Sequence, residues 1–293
     1  MRTVLLSGLA TLLLAAPAWA APEWTKVDAA LGRVGVEQAD GVRRYGFPRS
    51  DLRVVLDGVS IEPSLALGSW AAFQPMGDDV MVMGDLVLTH EEVNPVMTRL
   101  LQGGFTITAL HNHLLRSAPG TMYMHIAAHG DPVRLAAALR QAIAASRTPM
   151  SPPSPGAGAP SRLDLNSDAL DELMGAEGRV NGGVLQYSIP RAERLMDGGM
   201  VTPQSMGTAT AINFQPTGGG KAAITGDFVL IASEVDPVLR ALRANGIEVT
   251  ALHNHMLNDE PRLFFLHFWA NDDAAKLARG LRSALDTMNN RQN

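Results

Sequence analysis

The chain repeats itself. Gly41-Val42, Tyr45 and Pro48-Arg49 return as Gly183-Val184, Tyr187 and Pro190-Arg191, always 142 residues further on. Gly84-Asp85 returns as Gly226-Asp227, and Glu92-Val93-Asn94-Pro95-Val96 as Glu234-Val235-Asp236-Pro237-Val238. Thr108-Ala109-Leu110-His111-Asn112-His113 returns unchanged as Thr250 to His255. The offset slips only near Phe73-Gln74-Pro75 and Phe214-Gln215-Pro216, as short loop differences would make it do. A period this long means two copies of one folding unit. Between them, residues 148–162 are rich in Pro, Ser, Gly and Ala and read as a stiff, solvated linker. The expected organisation is therefore a leader at 1–20, repeat domains at 21–147 and 163–289, and the linker at 148–162. At 293 residues and 46% apolar composition, each copy can bury a core of its own.

The first twenty residues read as a secretory signal peptide. Arg2 supplies the positive start, Val4 to Ala16 is apolar, and Ala18-Trp19-Ala20 places small residues at the cleavage positions. The apolar run is too short to span a bilayer, and no later stretch approaches about 18 apolar residues, so no stable membrane insertion is expected. Cleavage would leave the protein periplasmic or secreted. The chain has no cysteine, which excludes disulfides, thiolate metal ligands, a cysteine nucleophile and a lipid anchor attached through cysteine. A net charge of −5, with Lys26, Lys221 and Lys276 the only lysines, argues against a nucleic-acid partner. Oligomeric state is not legible.

Both copies show one order of elements. A short helix (Lys26 to Leu31; Asp168 to Met174) precedes a β-rich stretch closed by strands near 69–75 and 79–88. A helix follows, for which Thr89 and Glu92 form a capping-box pattern, with Ser233 and Asp236 expected in those roles in the second copy. Strands at 104–114 and 121–129 lead to a helix from Asp131-Pro132 to about Ala144. The second copy offers 246–257, 263–271 and a helix from Asp272 to about Thr287. The expected class is α+β: two tandem repeats, each a mainly antiparallel sheet with helices on one face, in a ferredoxin-like element order.

Six of the eight histidines fall at matched positions: His111, His113 and His125 in the first copy, His253, His255 and His267 in the second. Both copies read His-x-His-x11-His. Alternation along a strand puts His111 and His113 on one face, continuing back through Ala109, Ile107 and Phe105. A hairpin centred near Ala118 would set His125 directly opposite His111, so that three imidazoles converge in each copy. Met122 and Met124 would then face away and read as core. His90 and His129 have no counterparts, Ala232 and Asn271 standing in their places.

Imidazoles on a buried face must be hydrogen-bonded, protonated or metal-bound. A single buried histidine more often satisfies a nearby carbonyl. Three at matched positions, found twice, favour a divalent transition metal. Zinc is foremost, and copper, iron and nickel are also compatible with an all-imidazole set. Glu92 and Glu234 are candidate carboxylates, although Glu92 also suits a cap. No Gly-rich phosphate loop, nucleophile-elbow serine or His-Glu-x-x-His helix occurs, so no nucleotide cofactor is expected. Three readings stand: metal-assisted hydrolysis of a small molecule, a ligand- or metal-sequestering module without turnover, and a structural role for the histidines in holding the two domains together. Tyr123 and Ala127 against Phe265 and Trp269 suggest a second pocket drier than the first.

In its repeated Thr-Ala-Leu-His-Asn-His, with Gly-Asp-Phe-Val-Leu and Glu-Val-(Asn/Asp)-Pro-Val upstream, the chain resembles the LppY/LpqO family over nearly its whole mature length. That resemblance implies export and a duplicated domain, and it supplies no reaction, cofactor or mapped site. The chain departs from the lipoprotein members in lacking their lipid-attachment cysteine.

Overall fold

The computed structural model describes residues 22–151 and 163–291. The leader expected at 1–20 and most of the linker expected at 148–162 lie outside the described residues. The first repeat opens with α1 (Trp24–Leu31), β1 (Val36–Glu37) and β2 (Arg43–Pro48). An arm follows, holding β3 (Val55–Leu56), β4 (Val59–Ser60) and the one-turn α2 (Pro63–Ala66). Then come β5 (Gly68–Met76), β6 (Asp79–Thr89), α3 (His90–Gln102), β7 (Thr106–His111), β8 (Thr121–Gly130) and α4 (Pro132–Ile143). The second repeat opens with α5 (Ser167–Met174), β9 (Arg179–Asn181) and β10 (Val184–Pro190). Its arm carries β11 (Met196–Asp197), β12 (Met200–Val201) and a 3-10 turn at Gln204–Met206. It closes with β13 (Ala209–Gly218), β14 (Lys221–Ile231), α6 (Ala232–Ala244), β15 (Glu248–His253), β16 (Asp259–Glu260), β17 (Leu263–Asp273) and α7 (Ala274–Leu285).

Each repeat builds one antiparallel six-stranded sheet, ordered β1-β2-β5-β6-β8-β7 and β9-β10-β13-β14-β17-β15. The α+β tandem organisation is the one the sequence predicts. Because β8 pairs antiparallel with both β6 and β7, β6-α3-β7 is a split β-α-β unit, the part of the topology closest to the ferredoxin-like order. The closing helices start where capping chemistry starts them. Asp131 accepts from Arg134 N at 2.7 Å with Pro132 behind it, and Asp273 accepts from Lys276 N at 2.8 Å. Their apolar stripes, Leu135, Leu139 and Ala142 in α4 and Leu277, Leu281 and Leu285 in α7, pack onto one sheet face each.

On α3 Glu92 accepts from Thr89 N at 2.9 Å, the glutamate half of the expected capping box. In the second repeat Ser233 and Asp236 do not take those roles. Glu234 accepts from Ile231 N at 2.9 Å, while Asp236 lies one turn on and pairs with Arg240 on the surface. Isoleucine offers no side-chain acceptor, so only the glutamate half of the box exists there.

The helix-free faces of the two sheets turn toward each other, and the arms clamp them. The first repeat's arm lies on the second sheet: Gln215 Nε2 donates to Ser60 O at 2.7 Å and Oε1 accepts from Glu62 N at 2.9 Å, while Gln186 donates to Ser64 O at 2.7 Å. The second arm lies on the first sheet, where Arg44 donates to Ser205 O at 2.8 Å and Gln74 to Val201 O at 3.1 Å. Two apolar clusters combine side chains of both repeats. One joins Leu65, Val87 and Tyr123 to Ala223 and Trp269, and the other joins Ala72 and Met83 to Met206, Val229 and Phe265. Large side chains buried this way stabilise by roughly 1.5–3 kcal/mol each, so the docking of the repeats is part of the fold.

Candidate functional site

The histidines reach the interface because β7 is bulged. Its pairing runs Thr106↔Ala127 and Ile107↔Ile126, then resumes as Ala109↔His125 and His111↔Tyr123. One extra residue, Thr108, is taken up between them, and β15 repeats the bulge between Val249 and Ala251. A bulge resets the alternation of faces. Phe105 and Ile107 therefore join the helix-side core, while Ala109 and His111 face the other repeat. The single face expected from Phe105 to His113 is corrected accordingly. The strand also ends at His111, and His113 projects from the loop that follows.

The register differs from the expected one as well. His111 pairs with Tyr123 and His125 with Ala109, so the two histidines are diagonal neighbours and not opposite. The hairpin centre lies one residue before Ala118, which shifts the pairing by two and leaves the face unchanged. Met124 faces the helix-side core as expected.

The two triads meet. His111 stacks on His253 with ring centroids 3.6 Å apart, His113 on His267 at 3.7 Å, and His125 on His255 at 3.6 Å. These are the contacts a twofold axis between His111 and His253 generates from matched positions. Tyr123 covers His113 at 3.4 Å, and Phe265 covers His255 at 3.6 Å. The triad expected in each repeat is thus present, and the two abut as one six-imidazole cluster instead of standing apart. Ligand nitrogens of His111, His113 and His125 all lie within 4.8 Å of one another, as do those of His111, His253, His255 and His267. His111 belongs to both groups.

Hydrogen bonding leaves the cluster centre unsatisfied. His267 Nδ1 lies 2.8 Å from Gly226 O and His111 Nδ1 3.3 Å from Asn112 O. Each donates there, which fixes a tautomer with a lone pair on Nε2. Nε2 of His111, His113, His125 and His267, and Nδ1 of His253, are buried without a hydrogen-bond partner. Only His253 Nε2 and His255 Nε2 meet, at 2.9 Å.

Two carboxylates that sequence reasoning missed join them. Asp85 and Asp227 sit on β6 and β14 beside the cluster, and Oδ1 of each is buried and unpartnered. Asp85 Oδ2 is 3.8 Å from His125 Nε2 and 4.0 Å from His113 Nε2. Asp227 lies 3.7 Å from His267 Nδ1 and 3.8 Å from His255 Nδ1. The signal was present: a repeated Gly-Asp interrupts otherwise apolar strands. The glycines are there for space, since a Cβ on Gly84 would stand 2.7 Å from Trp70 O, and one on Gly226 would overlap Ala211 O.

Burial dominates the electrostatics. It pulls His111 down to about 4 and His253 to about 3. The other four fall well below the usual imidazole value, with neighbouring imidazoles adding to the effect. All six are neutral near pH 7, the form that binds metal. Burial pushes Asp85 up to about 7, opposed by the Arg44 guanidinium, and pushes Asp227 well above the carboxylate range. Arg44 itself rests over the Trp70 ring at 4.0 Å, and its place in the second repeat is taken by Gln186.

Other candidates lie elsewhere. His90 is exposed at the start of α3, and His129 is half-exposed near Asp79. Glu92 and Glu234 bind the buried Arg49 and Arg191, at 2.7 and 2.6 Å, and touch none of the histidines. The cavity that reaches His125 and His255 is about 10 Å³, bounded by Trp70, Met83, Thr108 and Met206, room for roughly one water or ion.

Fold and site together define a duplicated α+β protein whose halves close over one shared imidazole cluster. A family model described as Domain of Unknown Function (DUF1259) matches residues 25–145 and again 168–287, and the chain belongs to that family. No curated protein matches it. Among solved structures it is similar to a trimeric bacterial microcompartment shell protein, PduB, at 10% identity over 86% of this chain and 89% of that one, with a TM-score of 0.23. So slight a likeness carries no argument.

Proposed function

We propose that the protein is an exported metal-holding module, with a divalent transition ion bound in the histidine cluster between its repeats. The observation that carries this reading is the set of buried ring nitrogens brought within reach of one another from both repeats, with Nε2 of His111, His113, His125 and His267 lacking any hydrogen-bond partner. A buried polar atom left unpaired costs about 1–3 kcal/mol, and one ion relieves several at once. His111, His253, His255 and His267 bring four imidazoles within 4.8 Å of one another, enough donors for the four-coordinate shell zinc favours. His113 and His125 complete the cluster around His111. Metal-assisted hydrolysis needs an open coordination position against a substrate-sized space; the small cavity at His125 and His255 favours holding the ion over turning a substrate over.

The leader-like N-terminus and the resemblance to the LppY/LpqO proteins support export. Among the described residues no helix is long and apolar enough to cross a membrane. The test is metal analysis of protein purified without affinity tag or chelator, with thermal melts before and after chelation. At least one equivalent of transition metal is expected. Its removal should lower Tm by about 4–5 °C, the effect of losing roughly 2–3 kcal/mol of binding in a chain this size. Metal-free protein whose melting ignores both chelator and added zinc would mean that the histidines are simply core.

A further inference from the structure

The cluster holds more donors than one tetrahedral ion can use. Once His111 joins His253, His255 and His267, the nitrogens His113 Nε2 and His125 Nε2 remain buried without partners. Both face Asp85 Oδ2, at 4.0 and 3.8 Å. Those separations are too long for hydrogen bonds. They suit two donors bridged by an ion: bonds of about 2.0–2.2 Å set donors roughly 3.3 Å apart at the tetrahedral angle, and up to about 4.2 Å as the angle opens. Asp85 is only 6% exposed, and its other oxygen is also unpartnered.

The matched carboxylate behaves differently. Asp227 faces Nδ1 of His255 and His267, and the latter already donates Nδ1 to Gly226 O. It stands behind the rings at 3.7 and 3.8 Å, beyond hydrogen-bonding range and on the side away from their Nε2 donors. Repeat symmetry is therefore broken at the acids: one faces Nε2 atoms left without partners, the other faces the Nδ1 side of its rings.

We infer that the protein binds a second divalent ion, at His113, His125 and Asp85, distinct from the four-imidazole ion. This rests on the metal reading above and extends it. Two imidazoles and one carboxylate leave coordination positions open, a donor set that suits iron(II), manganese(II) or cobalt(II). The small cavity touching His125 supplies space for a water in one of them.

The experiment is a cobalt(II) titration of the metal-free, full-length protein, followed by visible absorption and by bound cobalt per chain. Two equivalents are expected, one with the intense bands of tetrahedral cobalt and one with the weak bands of higher coordination. Asp85→Asn should abolish the second equivalent and its weak bands while leaving the first. His113→Gln should do the same. Asp227→Asn should keep both equivalents. Melting curves establish that each variant is folded. Saturation of the wild type at one equivalent overturns this inference and leaves the metal reading standing, whereas no bound cobalt at all overturns both. Identical behaviour of Asp85→Asn and Asp227→Asn also contradicts it.

Discussion

At the scale of single residues, burial sets both the chemistry and the pH response. His111 and His253 are held near 4 and 3 in the fold, whereas an unfolded imidazole titrates near 6.5. Below about pH 6.5 the unfolded chain therefore takes up protons that the folded one refuses, and stability falls as pH drops toward 4. The four other imidazoles act in the same sense. Asp85, raised to about 7, and Asp227, also raised, oppose it, since they bind protons in the fold at pH values where the unfolded chain does not. Six groups outweigh two, so chelated protein should lose Tm steadily between pH 7 and 5. A Tm that rises over that window would mean that the carboxylates dominate. Gly226 offers a second residue-scale test. A methyl group there meets the Ala211 carbonyl on the adjacent strand, so Gly226→Ala should destabilise by about 3 kcal/mol or more, read from denaturant melts, because backbone must move to admit it.

At the scale of elements, each repeat carries a clamp that fixes helix to sheet. Arg49 is fully buried, donates to Val87 O at 2.7 Å and pairs with Glu92 and Asp51; Arg191 does the same with Val229 O, Glu234 and Glu193. Glu92 also accepts from Thr89 N and Arg147 N, tying the start of α3 to the segment after α4. Glu92→Ala leaves the buried guanidinium with Asp51 and Val87 O but without its helix-side carboxylate and should cost about 3–5 kcal/mol, with bound metal per folded chain unchanged. Loss of metal alongside would place Glu92 in the site after all. Pro48-Arg49 and Glu92 were visible in sequence as repeated residues, but nothing in the sequence showed that they meet. The bulges in β7 and β15 were equally hidden. Thr108 and Thr250 fit an unbroken alternating strand as well as a bulged one, and only pairing against β8 and β17 exposes the extra residue.

At the scale of the whole molecule, periodicity carried the reading a long way. A repeat at fixed offset needs no tertiary information to be seen, and the six histidines followed from it. What a single chain cannot display is how its two halves dock. Sequence logic placed one triad in each copy, because spacing within a copy is all that it measures. The docking depends on Gln215, Gln186 and Asn213 catching backbone of the first arm, and on Met206 and Gly207 seating against Trp70, contacts between positions far apart in the chain. Asp85 and Asp227 went unread for a related reason, since a buried acid declares itself only once its surroundings are known. A cluster built from both halves needs each repeat in place, which two separate triads would not. The most direct test is an anomalous difference map from crystals of protein purified without chelator. A peak is expected among the Nε2 atoms of His111, His253, His255 and His267, bonded from both repeats at about 2.0–2.1 Å. A map with no peak inside the cluster, or with metal bound only at the protein surface, would contradict it.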